Sequence, residues 1–141
     1  REAIERFALF TANTVSCATA FVQKAGVAAL RGPQDFFKAI ITEYRARRDI
    51  MHRELNRILG IRAAKPAGAF YVFPNITAIL RQAEMSTAEF TITLMKETGV
   101  VVLPGSAFPN TAGEGYLRMS YALPRGAMEK GLEKLKEGVQ A

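Results

Sequence analysis

Apolar residues recur at helical spacing between residues 14 and 30, TVSCATAFVQKAGVAAL, where Phe21, Val22, Ala25, Val27 and Leu30 share one broad face. The pattern predicts a helix there, with Asn13, Thr14 or Ser16 as its N-terminal cap. Gly32 and Pro33 end it, because proline biases its predecessor away from helix. A longer stripe runs from Gln34 to about Leu59 through Phe37, Ile40, Ile41, Tyr44, Met51, Leu55 and Ile58, and Gly60 stops it. At 1.5 Å rise per residue such a helix is roughly 35–40 Å long, more than a small domain's core covers. The stripe breaks at Arg47 and Arg48. That break suggests that the two ends pack against different bodies, with a domain junction in the first half of the helix.

The rest reads as a compact α+β unit. IRAA, residues 61–64, fits a short strand, and AFYVFPNI is the clearest strand, rich in aromatic and β-branched residues. Ser86-Thr87-Ala88-Glu89 has the spacing of a capping box and predicts a helix that Gly99 ends. The continuous apolar run of residues 100–103, VVVL, predicts a buried strand. A Pro/Gly-rich loop follows over 104–115. In GEGYLRMSYA, Leu117, Met119 and Tyr121 alternate with Tyr116, Arg118 and Ser120, so a strand there buries the first set and frees the second. Pro124 opens a last helix with Met128, Leu132, Leu135 and Val139 inward. The expected fold class is α+β, a small sheet of three or four strands covered by helices on one face. Arg118 stands on the other face.

Composition narrows the function classes. The chain has 141 residues, 49% hydrophobic and 23% charged, an ordinary globular mixture of one domain or a domain plus a piece of another. No apolar run approaches the ~20 residues of a membrane span, and REAIERFALF is not a secretory signal. The first residue is Arg1, which suggests a processed or excised fragment. Cys17 is the only cysteine and His52 the only histidine, which leaves little for a zinc cluster or a Ser-His or Cys-His pair and fits a reducing cytoplasm. Cys17 reads as a buried or half-buried inert thiol near a helix start. The net charge of +6 gathers in Arg45, Arg47, Arg48, Arg53, Arg57, Arg62 and Lys65. Without interleaved exposed aromatics or a helix-turn-helix, this run reads as a solvated helix face partly balanced by Glu43, Asp49 and Glu54. Neither nucleic acid nor membrane is expected as a partner.

Four stretches occur in one order: NTVSCATAFVQKAGVAALRGPQ, PAGAFYVFPN, GVVVLPGSAFP and GYLRMSYA. Together they resemble the C-terminal part of class I aminotransferases, pyridoxal-phosphate enzymes of fold type I, on the aspartate aminotransferase-like branch. The resemblance spans essentially the whole chain. It implies that residues 1–44 hold the end of the large cofactor-binding domain and the start of a linking helix, and that residues 45–141 form the small domain. Arg118 matches the family arginine that grips the substrate's α-carboxylate. A planar guanidinium suits that task, since it can donate two parallel hydrogen bonds. The other reading of Arg118 is a surface arginine paired with Glu114 or with nothing. Asn13 lies in a turn that matches a loop near the active site, so it is a helix cap first and a substrate contact second; Val15 stands there where relatives commonly carry proline. Ser106 and Phe108 resemble a segment beside the substrate pocket, though Phe108 fits core packing under its loop better.

The family also implies a Schiff-base lysine, an acidic residue at the pyridine nitrogen and a phosphate cup. None of the lysines at 24, 38, 65, 96, 130, 134 and 136 follows the expected strand end, and the only aspartates are Asp35 and Asp49. The resemblance places these parts before Arg1. The expectation is a homodimeric enzyme that moves an amino group from an amino acid, aspartate-like, to a 2-oxo acid, with this chain inactive alone and without catalytic, cofactor-binding or metal residues of its own. Three alternatives remain. One is another fold type I activity, and one is a regulator with an aminotransferase-like domain. The third is a stand-alone interaction module that uses the basic helix.

Overall fold

The computed structural model describes residues 1–108 and 111–140; Pro109 and Asn110, inside the expected 104–115 loop, and Ala141 lie outside the described residues. The chain divides into two compact units, Arg1–Lys38 and Ala39–Ala141.

The first unit holds helix α1 (Glu2–Thr14), helix α2 (Ala20–Arg31) and the first turn of α3 (Asp35–Leu55). The sequence pattern foresaw α2 and missed α1. Ile4, Phe7 and Phe10 recur at helical spacing in α1 behind Glu2 and Glu5, but they stay exposed. Asn13 is not the cap of α2. It closes the last turn of α1, where its Nδ2 donates to the Leu9 carbonyl at 2.7 Å, and Thr19 takes the N-cap position of α2. Cys17 lies in the turn between the helices and is exposed, so the expected buried thiol is corrected.

In the second unit α3 ends at Leu55, four residues short of the expected stop. Asn56 accounts for the early exit. Its side chain donates to the His52 carbonyl at 2.8 Å, donates to the Ala63 carbonyl and accepts from the Ala63 N–H, both at 3.0 Å. The chain is thereby pulled out of the helix. The expected 61–64 strand reduces to a single bridge between Arg62 and Asn75. After strand β1 (Tyr71–Val72) comes a short helix that the sequence reading lacked, α4 (Thr77–Ala83), with Asn75 Oδ1 accepting from the Thr77 N–H.

Helix α5 (Thr87–Thr98) forms as expected. Ser86 and Glu89 make both halves of the capping box, and Gly99 closes the helix at φ +74°, where a side chain would be strained. Strand β2 (Leu103–Pro104), strand β3 (Leu117–Ser120) and helix α6 (Arg125–Gln140) complete the unit. The sheet is antiparallel in the order β1-β3-β2. Its inner row, Val72, Leu117 and Met119, joins Leu55, Leu94, Leu132 and Leu135 in one core. The 100–103 run is buried on one side only. Val102 points in, while Val101 and Leu103 are exposed, because only one face of this edge has helices against it.

Candidate carboxylate-binding site

Period-two alternation carries the outer face of the sheet. Tyr71 pairs with Ser120 and Leu103 with Arg118, so Tyr71, Leu103, Arg118 and Ser120 stand on one side. Phe73, two residues after Tyr71, joins them. Arg118 Cζ lies 3.7 Å from the centroid of the Tyr71 ring and 4.6 Å from that of Phe108. Phe108 meets Phe73 edge-on at 6.4 Å, and Phe73 stacks on Tyr116 at 5.5 Å. Phe108 is therefore half-buried beside the arginine, not core packing under its loop.

The loop reaches this position through a close backbone approach. A Cβ on Gly105 would meet the Gly113 carbonyl oxygen, and one on Gly113 would meet the Gly105 backbone. The Gly105 N–H donates to the Tyr116 carbonyl at 2.7 Å, which anchors the 3-10 turn ahead of Phe108 to the approach to β3.

Glu114 does not neutralise Arg118. Its Oε1 accepts from the Thr87 hydroxyl at 2.6 Å and from the Thr87 N–H at 2.8 Å, at the first turn of α5. The same hydroxyl accepts from the Gly115 N–H at 2.9 Å. These Thr87 bonds, side chain first and backbone second, hold the Glu114 pKa below its ordinary value. Among the described residues no hydrogen bond or ion pair engages the Arg118 guanidinium; its contacts are the two aromatic faces. All five of its N–H donors lie in the guanidinium plane, so ring stacking leaves them open. The residue also borders an apolar cleft of about 310 Å³ shared with Tyr71, Leu103, Ser120, Leu123 and Met128. Such a cation can accept a planar anion edge-on.

The other expected candidate, Asn13, belongs to the first unit and has its amide committed to Leu9. Five of the seven residues of the basic run are ion-paired, as expected for a partly balanced helix face. Arg47 bridges to Glu43 at 2.8 Å, Arg48 and Lys65 to Asp49 at 2.9 and 3.0 Å, and Arg53 and Arg57 to Glu54 at 2.8 and 3.0 Å. Sequence reasoning missed Tyr71, whose role depends on cross-strand register. The signal available was its place in an aromatic strand.

A family model described as aminotransferase class I and II matches residues 1–135. The chain belongs to that family. It is 41% identical over 95% of its length to the aspartate aminotransferase of Sulfolobus acidocaldarius, and 35% identical over 95% to aromatic-amino-acid aminotransferase 2 of Thermococcus litoralis. Each match takes in 33% of the relative, so the chain spans about a third of the length of these curated relatives. The solved aspartate aminotransferase of Rhizobium meliloti superposes with a TM-score of 0.84 at 31% identity, over 99% of this chain and 36% of that one.

The family implies pyridoxal phosphate, and the described residues do not fit that group. Lys65 is paired with Asp49, Lys38 with Asp35, and Lys134 donates to the Thr98 carbonyl at 2.8 Å. Both aspartates are thereby engaged, and the remaining lysines lie on α2, α5 and α6.

Proposed function

We propose that this chain is the C-terminal part of a pyridoxal-phosphate-dependent aminotransferase and that Arg118 holds the substrate's α-carboxylate. The observation that carries the reading is a half-buried guanidinium on the open sheet face, stacked on two rings and without a counter-ion among the described residues. A carboxylate would supply the missing acceptor, and the bidentate geometry would fix its orientation as well as its position. Residues 1–44 would close the large domain and begin the linking helix, with 45–141 as the small domain. Asn13 would be a second, weaker substrate contact.

The full protein would transfer the amino group of an aspartate-like amino acid to a 2-oxo acid, as a cytoplasmic homodimer. Relatives named for that reaction support the substrate class. The cofactor and its lysine would be held by residues outside this chain, which would leave the chain inactive alone.

The test uses the full-length protein with pyridoxal phosphate, aspartate and 2-oxoglutarate, following glutamate formation. Arg118→Ala is expected to raise the KM for aspartate by about 30-fold or more, the lower end of the scale for truncating one partner of a hydrogen-bonded charge pair. Unchanged KM in that variant, or no glutamate from the wild type, would overturn the reading.

A further inference from the structure

We infer that Tyr71 and Phe108 are positioning residues for the substrate carboxylate: both rings pack on the Arg118 guanidinium as an aromatic clamp and so present its N–H edge in one orientation. The inference rests on the carboxylate-binding reading of Arg118 and goes beyond it by assigning the orientation to aromatic side chains.

The geometry has three parts. Register puts Tyr71 on the same face as Arg118, across β3 from Leu103, and the cation sits 3.7 Å from the centre of its ring. Phe108 approaches from the loop at 4.6 Å. Phe108 is in turn buttressed by Phe73, which stacks on Tyr116, while Tyr71 packs against Phe70 at 4.3 Å. Both rings are thus held by neighbours.

A long arginine side chain on an open sheet face would otherwise sample many rotamers, and a ligand would have to freeze them. An ion pair or hydrogen bonds could fix it instead, but those would occupy the donors that a carboxylate needs. Stacking uses the faces only, and the attraction of a cation to a ring does not consume an N–H. The tyrosine hydroxyl has no part in this account; the ring is what matters.

The experiment compares aspartate with isoasparagine, its α-carboxamide, on the full-length protein. The readouts are kcat/KM for each and dissociation constants by calorimetry. Arg118→Ala is the reference, Tyr71→Leu the test and Tyr71→Phe the control that keeps the ring. Tyr71→Leu is expected to weaken aspartate by about 5- to 30-fold, as for loss of a partly desolvated cation–π contact. It should act mainly through KM and leave isoasparagine within about two-fold. Tyr71→Phe should stay near wild type. A Tyr71→Leu protein that loses both substrates equally, or keeps its aspartate preference while Arg118→Ala abolishes it, overturns the clamp and leaves the role of Arg118 standing. If Arg118→Ala itself does not change the preference, the carboxylate reading falls and takes the clamp with it. Should Tyr71→Leu fail to fold, Phe108→Leu carries the same comparison with the same expected loss, and no loss there also overturns the clamp.

Discussion

At the scale of single residues, the useful contrast is between two charged side chains close together in sequence. Arg118 has two aromatic rings packed on its guanidinium and its donors open, whereas Glu114 Oε1 is held by two bonds from Thr87. Glu114 therefore acts on stability. Its pKa is lowered in the fold, so the ionised form is bound more tightly there than in the unfolded chain. The resulting stabilisation is fully present above the ordinary value of 4.5 and is lost as pH falls through the lowered folded value. Glu114→Gln should accordingly be less stable than wild type at about pH 6 to 7, and the two should converge as the pH falls below 4.5 and through the lowered folded value. Urea midpoints measured across that range check it; a constant difference at every pH would remove Glu114 from the account. A second change tests the same junction from the other side. Thr87→Val keeps the shape and the backbone N–H bond to Glu114 Oε1, but it removes the hydroxyl bond to that oxygen and strands the buried Gly115 N–H, at a cost of about 1–3 kcal/mol.

At the scale of elements, the interrupted stripe of α3 is the instructive case. Arg47 and Arg48 look like a seam between two bodies when only periodicity is available. In the fold both reach within the second unit: Arg47 donates to the Leu123 carbonyl at 2.6 Å and packs 5.5 Å from the Tyr44 ring, and Arg48 reaches the Pro66 carbonyl at 3.4 Å. They stitch the helix to the loops beside it. Arg47→Ala should destabilise the protein by about 1.5–3 kcal/mol, the range for hydrogen bonds to charged groups, read as a shifted denaturant midpoint with an unchanged slope. An unshifted midpoint would make Arg47 a solvated charge. The elements legible in the sequence were those whose signal is local. The Ser86–Glu89 capping box, the alternation of β3 and the Pro124 start of α6 each depend on a few neighbouring residues. What escaped depends on partners far along the chain. Asn56 ends α3 only because Ala63 returns to it, and Tyr71 meets Arg118 only through the β1–β3 register. The carboxylate-site arginine was thus readable from one strand, while the rings around it were not.

For the whole molecule, the two units differ in what supports them. Every buried apolar residue of the core belongs to the second unit, from Ile50 to Leu135, whereas α1 and α2 contain no buried residue. Helices of 13 and 12 residues are marginal in water without an apolar face packed against something. Ile4, Phe7, Phe10, Phe21 and Leu30 offer such faces but are exposed. In a dilute solution of the 141-residue chain, amides of residues 2–31 should therefore exchange with solvent near the unprotected rate, while those of β3, α5 and α6 are retained through the main core. Hydrogen exchange followed by mass spectrometry resolves the two regions. Raising the concentration adds a second reading of the same peptides. Contiguous exposed apolar surface favours association, so slower exchange in 2–31 at high concentration alone marks copies covering each other's α1 and α2. Protection of that region equal to α5 at the lowest concentration would mean that these helices hold themselves, and the argument from burial would be wrong.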